Sequence, residues 1–295
     1  MKKHKGIDTA YGIPMNKALG MLYPKEKRIY NDPFTENILS GFSKYFIKLL
    51  HIPFLHRLIT NFYEKNYQGM LGYFFCRFRY YDDVVKECIQ KNEVDIIVNI
   101  GAGMDCRPYY IKGIDKLHYY EIDHPTVIEN KKEKIKKVLG KLPDFVTYVG
   151  VDFDNQSIEE ALQQTGYNLN SKTLFIWESV SAYLTKEAND TIFNFISKAT
   201  SESKFVFSYV SMDFMNGKNL NHKTLELLHR RMIVKQELKL QHGFEKSEIE
   251  EYLKKYSIFT IEHIGAKEFK ERYIQTIDLK MDVVEMERII LAEVK

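Results

Sequence analysis

Asp95-Ile-Ile-Val-Asn-Ile-Gly-Ala-Gly103 is a short apolar run that stops at two glycines. Its length and β-branched content favour a strand buried on both faces, as in a parallel sheet. Neither glycine carries a Cβ, so the backbone there can pass close to a ligand. Small tight turns use the same residues, and the pair alone decides little. The third glycine of a dinucleotide fingerprint is missing, because position 106 is Cys. A ligand without a pyrophosphate therefore fits better than a dinucleotide.

Working outward, the pattern repeats. Lys116–Ile122 ends at Asp123, Phe145–Val149 ends near Asp152, Thr173–Trp177 ends at Glu178, and Lys204–Val210 ends near Ser211. Helical segments separate these runs, and two more strands are expected at Ser257–Ile264 and Glu287–Val294. The alternation predicts an α/β fold with a mostly parallel seven-stranded sheet. Its strand ends share one edge, where ligands bind. Upstream, Phe34 to Lys91 shows apolar residues at three- and four-residue spacing with a break at Pro53, so this stretch is a helical preface. Residues 1–33 are read as turn-rich and polar. The expected organisation is a single domain, 1–295, with a helical extension (1–92), a ligand-binding core (93–215), and a lid with the last strands (216–295).

Composition narrows the function classes. The chain has 43 basic and 40 acidic residues and is 44% hydrophobic, enough for a sizeable core. That balance gives no argument for nucleic-acid or membrane partners. The cluster Lys131, Lys132, Lys134, Lys136, Lys137 and Lys141 is read as the solvated face of a helix, with Ile135, Val138 and Leu139 on its buried side. Cys76, Cys88 and Cys106 show no paired spacing, so neither a disulfide framework nor a zinc site is expected. No metal is predicted. Without a leader or an apolar span, a cytoplasmic location is expected.

Four successive strand ends carry Gly or acid: Gly101 and Gly103, Asp123, Asp152, Glu178. One such acid is often a helix cap. Four in order suggest a cleft for one extended polar ligand. A carboxylate at Asp123 can accept both hydroxyls of a ribose; Glu121, two residues back, competes for that part. Asp152 with Phe153 could take an adenine, the acid from its amine and the ring as an apolar wall.

Longer motifs resemble one family. Asn31-Asp-Pro-Phe34, Arg77-Phe-Arg-Tyr-Tyr-Asp-Asp83, Asn99-Ile-Gly-Ala-Gly-Met-Asp-Cys-Arg107, Tyr120-Glu-Ile-Asp-His-Pro125, Asp152-Phe-Asp154 and Trp177-Glu-Ser-Val-Ser-Ala-Tyr-Leu184 occur in the order found in the leucine carboxyl methyltransferases. The resemblance covers roughly residues 10–210 and fades after about 211. It implies a Rossmann-like methyltransferase fold with an N-terminal helical extension and a helical lid insertion, and S-adenosylmethionine as cofactor. It further implies that Arg77 holds the methionine carboxylate, with Arg79 as the alternative, since a planar guanidinium fork suits a carboxylate. Gly101 and Gly103 would line the same moiety, Asp123 would hold the ribose, and Asp152 and Phe153 the adenine. Glu178 would lie near the reaction centre. Arg107 is expected to anchor the glycine loop.

The expected activity is O-methylation of a small hydroxyl or carboxylate acceptor. A protein C-terminal carboxylate, or a non-catalytic cofactor-binding homologue, is the alternative. An NAD-dependent oxidoreductase is disfavoured by the missing glycine and by the lack of any use for Arg77. His222, His229, His242 and Tyr183 are base candidates for a hydroxyl acceptor, and none is singled out. The acceptor's identity and the oligomeric state are left open.

Overall fold

The computed structural model describes residues 12–152, 156–277 and 279–295. Seven strands form one sheet: β1 (Ile96–Ile100), β2 (His118–Asp123), β3 (Val146–Gly150), β4 (Thr173–Trp177), β5 (Lys204–Tyr209), β6 (Ile258–Ile264) and β7 (Arg288–Val294). Their spatial order is β3-β2-β1-β4-β5-β7-β6. All pairs are parallel except those made by β7, which runs antiparallel to both β5 and β6. The order reverses between β1 and β4, so the glycine-bearing end of β1 opens at the switch point where such sheets bind ligands.

The two-residue period of a strand sorts side chains onto two faces. Ile97, Leu174, Ile176 and Val206 point into one cluster, and Val98, Phe175, Trp177, Phe205 and Phe207 into the other. The second face is aromatic, with Trp177 stacked on Phe205 and Phe207 and meeting Phe193 edge-on. The first face is covered by the N-terminal extension.

That extension consists of α1 (Ile13–Met21), α2 (Thr35–Ile38), α3 (Gly41–Leu50), α4 (Pro53–Asn66) and α5 (Met70–Lys91). The sequence reading missed α1, because its proline, glycine and polar residues mask about one turn of buried surface at Lys17, Ala18, Leu19 and Gly20. At 22 residues α5 spans about 33 Å. It lies close against the chain before β7: a Cβ on Gly72 would overlap the Asp282 carbonyl. This contact fixes which residues of α5 reach the strand ends.

Between β2 and β3 runs α6 (Pro125–Leu139). Here the expectation of a uniformly solvated lysine face is corrected. Lys131 is fully buried, and its ammonium donates to Glu121 Oε1 at 2.7 Å. Lys134 donates to the Ile38 carbonyl and Ser40, both at 2.9 Å, while Leu139 is exposed. Buried Glu121 on β2 needs a cation, and α6 turns to supply it. Glu121 thus serves the core, and Asp123 stands at the strand end without that competitor.

Burial pushes the Glu121 carboxyl up to about 7, against the pull of Lys131. A raised acid favours the folded state at low pH and loses that contribution as pH rises through its folded value. Lys131→Met removes the opposing cation, so the loss should deepen toward alkaline pH. The variant should lose about 3–5 kcal/mol at mildly alkaline pH and clearly less at mildly acid pH. Urea unfolding at both pH values measures this; a loss independent of pH would assign it to packing.

Candidate functional site

The β1–β4 edge gathers an unusual density of buried charge. Gly101 and Gly103 both have positive φ, +72° and +48°. The turn is clamped from two sides: Gly101 and Ala102 donate their N–H groups to the Ile122 carbonyl at 2.8 and 2.9 Å. Gly103 N–H donates to Asp123 Oδ2 at 2.7 Å. Asp123 Oδ1 accepts from His124 N–H at 2.7 Å. Burial raises the Asp123 carboxyl, and the two backbone donors oppose that rise. Each oxygen keeps a second lone pair.

The next turn carries Asp105. Asn99 donates to its Oδ2 at 2.9 Å, Arg107 Nη1 to the same atom at 2.9 Å, and Lys17 from α1 to its Oδ1 at 3.2 Å. Burial alone would raise this carboxyl, but Arg107 and Lys17 hold it far below the ordinary range. Lys17 also lies 3.6 Å from Asp32. Asp32 caps the start of α2 by accepting from Phe34 N–H and Thr35 N–H. The Asn31-Asp-Pro-Phe34 stretch is thereby tied to the glycine loop through one lysine.

Glu178, one residue beyond β4, bridges two arginines. Its Oε1 accepts from Arg77 Nε at 3.0 Å, and its Oε2 is 2.9 Å from Arg107 Nη1. Burial would raise Glu178; Arg107 and then Arg77 pull it below its usual value. Arg107 Nε also donates to Asp82 on α5 at 3.0 Å, as a loop anchor would, while its Nη2 is buried without a hydrogen-bond partner. Arg77 Nη1 donates to the Tyr73 hydroxyl at 2.6 Å and lies 3.3 Å from Glu287 Oε2. Tyr73 in turn hydrogen-bonds Glu287, and Ser179 Oγ donates to the same carboxylate at 2.7 Å. Ser179 itself has φ +56°.

Most of the expected site residues therefore converge. Arg77, Gly101, Gly103, Asp123 and Glu178 share this edge, and Asp152 follows β3 beside it, half-buried. Phe153 lies outside the described residues. Arg79 points elsewhere: it pairs with Asp83 at 2.7 Å one turn along α5 and donates to the Ile29 carbonyl. Sequence reasoning missed Lys17, Tyr73, Asp105 and Glu287. Asp105 lies within the glycine-loop motif and Glu287 opens the last expected strand, which was the available signal. Nothing near Lys17 in the sequence marks it.

The base candidates sit in the 211–244 segment and its landing place. His222 caps the helix Lys223–His229, its Nδ1 accepting from Thr224 N–H. His229 packs edge-on against Phe214, and His242 against Phe244. Burial lowers His242, and the nearby Lys186 adds to that. Tyr183 accepts through its carbonyl from Gln241.

The residue types suit a zwitterionic amino-acid moiety attached to a nucleoside. Arg77 and Glu178 offer both signs, Asp123 keeps lone pairs that can accept from hydroxyl groups, and Gly101 admits no side chain. Among the described residues no cluster of His, Cys, Asp and Glu could hold a metal, and no helix is long and apolar enough to cross a membrane.

The family model for leucine carboxyl methyltransferase matches residues 10–197. YktD of Bacillus subtilis, named as a candidate S-adenosyl-L-methionine-dependent methyltransferase, is 25% identical over 60% of this chain, but the match spans only 58% of YktD. A Mycobacterium marinum protein named for the same activity is 26% identical over 72% of this chain and 71% of its own. Two crystal structures share the fold, each at 11% identity and TM-score 0.56. One is a DUF574 family protein from Streptomyces avermitilis, matched over 81% of this chain and 90% of its own. The other, from Thermobifida fusca, is matched over 94% and 97%.

The glycine turn gives a structural test. A Cβ at Gly101 would overlap the Val180 side chain, and φ is unfavourable for any L-residue. Gly101→Ala should cost about 2–4 kcal/mol in thermal or urea unfolding, with strain and overpacking adding. Val180→Ala in the same chain should restore only the steric part. Full rescue would show that the positive φ carries no cost here.

Proposed function

Because the chain belongs to the leucine carboxyl methyltransferase family and is an S-adenosylmethionine-dependent methyltransferase, we propose that it methylates an oxygen of a small hydroxyl or carboxylate acceptor. In this reading the whole chain works as one methyltransferase domain. Arg77 holds the methionine carboxylate, and Gly101 and Gly103 line that moiety. Asp123 binds the ribose, Asp152 and Phe153 the adenine, and Glu178 sits next to the methionine end. The bound cofactor supplies an activated methyl group for in-line displacement. The protein's share is to orient both reactants and to keep water out. A carboxylate acceptor is already ionised at neutral pH and needs no base.

One observation favours a small acceptor. The 211–244 segment folds back over the ends of β4 and β5 and is stitched there by backbone bonds. Met212 N–H donates to the Phe244 carbonyl and Phe244 N–H to Val210, both at 3.0 Å; Gln241 N–H donates to Ala182 at 2.7 Å. Its apolar residues Met215, Leu220, Leu225, Leu228 and Met232 join the core of the first sheet face. Such a cover suits a compact ligand better than a docked folded protein.

Calorimetry should detect S-adenosylhomocysteine and no NAD at comparable concentration. Arg77→Ala should weaken the nucleoside by about 10- to 100-fold, the value of a hydrogen bond to a charged group, and Arg79→Ala should do much less. A reversed order would move the carboxylate clamp to Arg79. Methyl transfer from labelled cofactor should appear in the small-molecule fraction of a lysate. Label found only at protein C-termini would overturn the small-acceptor reading.

A further inference from the structure

Of the ten large hydrophobic residues exposed among the described residues, seven lie between positions 42 and 62. They form stripes on the α3–α4 hairpin. Phe42, Tyr45 and Leu49 follow three- and four-residue spacing on α3, and Phe54, Leu58 and Phe62 follow four-residue spacing on α4. Phe42 is 79% exposed, Tyr45 75%, Phe54 71% and Phe62 63%. The hairpin's other side is occupied: Ile47, Leu50, His56 and Thr60 are buried, and His56 meets Tyr23 edge-on at 4.8 Å. The helices are thus fixed to the domain by one face and present an apolar second face outward. Contiguous apolar surface of this kind marks an interaction site.

Charge selects the occupant. Residues 40–66 carry Lys44, Lys48, Arg57 and Lys65 against a single acid, Glu64. Glu64 is turned inward, one oxygen accepting from Gly69 N–H and the other buried. With four of 43 basic and one of 40 acidic residues here, the rest of the chain is balanced. Whole-chain neutrality therefore conceals a local excess of positive charge. Lys44 and Lys48 also line a shallow cleft with Lys137 of α6. Face-to-face pairing of two copies would bring like charges together with no outward carboxylate on the hairpin to compensate.

We propose that the α3–α4 hairpin docks on the surface of an anionic phospholipid bilayer, with its aromatic and leucine stripe in the acyl–headgroup boundary and its lysines on the phosphates. This is the pattern of an interfacial element that lies on a membrane and does not span it. Its basic flanks would supply attraction that salt weakens. The inference does not rest on the acceptor reading.

Vesicle co-sedimentation of the full chain tests it. The protein should bind phosphatidylcholine vesicles containing phosphatidylserine, bind pure phosphatidylcholine vesicles more weakly, and lose binding as salt rises. Phe42→Ser/Phe54→Ser/Phe62→Ser should lose at least about 10-fold in partitioning while retaining S-adenosylhomocysteine binding. Lys44→Glu/Lys48→Glu should lose the preference for the anionic vesicles. Should the triple variant fail to fold, Phe54→Trp gives a separate readout. Its emission should shift to the blue when anionic vesicles are added, while Trp177, buried in the core, contributes a constant background. Absence of binding to anionic vesicles, or equal binding to both lipids at all salt concentrations, overturns the proposal. So does a concentration-dependent dimer in ultracentrifugation that the triple variant abolishes without any vesicle binding by the parent.

Discussion

The bridge from Arg77 through Glu178 to Arg107 is the contact on which the ligand edge depends. It joins α5, the end of β4 and the glycine turn in one buried chain of opposite charges, which Asp105 and Lys17 extend to α1. Buried charges are costly to desolvate, and a pair with one member removed is costlier still. Removing any one partner without replacement therefore leaves a buried charge unanswered. This is why the N-terminal helices cannot be treated as decoration. Arg77 and Asp82 come from α5 and Lys17 from α1, so the edge exists only when the extension is docked.

The sheet performs the complementary task. Its alternation sends apolar residues into two cores and leaves Asn99 on the extension's side, where it reaches Asp105 and, at 3.2 Å, the Tyr119 hydroxyl. The antiparallel β7 then returns the chain between β5 and β6. Glu287, immediately before it, arrives beside Tyr73 and Arg77 from more than two hundred residues away in sequence. Local strand geometry and long-range topology thus meet at a single guanidinium.

The strands were legible because each is a short apolar run with a polar stop, and the stops are the residues that gather at the edge. Asp123 and Glu178 were legible as two of those stops, whereas Arg77, inside a helix, was marked only by the ordered motifs. Lys17 was not, since a lysine in a polar segment looks solvated until α1 is seen to bury it. Lys131 misled in the same manner: a cluster of six lysines suggests one wet face, but a buried acid on β2, the second strand from the sheet edge, claims one of them. Periodicity reports which side of a helix is apolar. It does not report which charge is answered from another element.

The edge as it stands is closed on itself, and that bears on which ligand it can admit. Arg77 already has Tyr73, Glu178 and Glu287 as partners through Nε and Nη1, so a carboxylate that takes Nε displaces Glu178. A ligand carrying only a negative charge would free Glu178 from Arg77 and leave that carboxylate short of one cation in a low-dielectric site. A zwitterion avoids this cost. Its carboxylate takes the guanidinium while its ammonium takes the acid released, so every buried charge keeps an opposite partner. The pyrophosphate of a dinucleotide, anionic alone, offers no such exchange. In the reading proposed here the preference for an amino-acid-bearing nucleoside follows from keeping every charge of the buried network paired, in addition to the shape of the glycine turn.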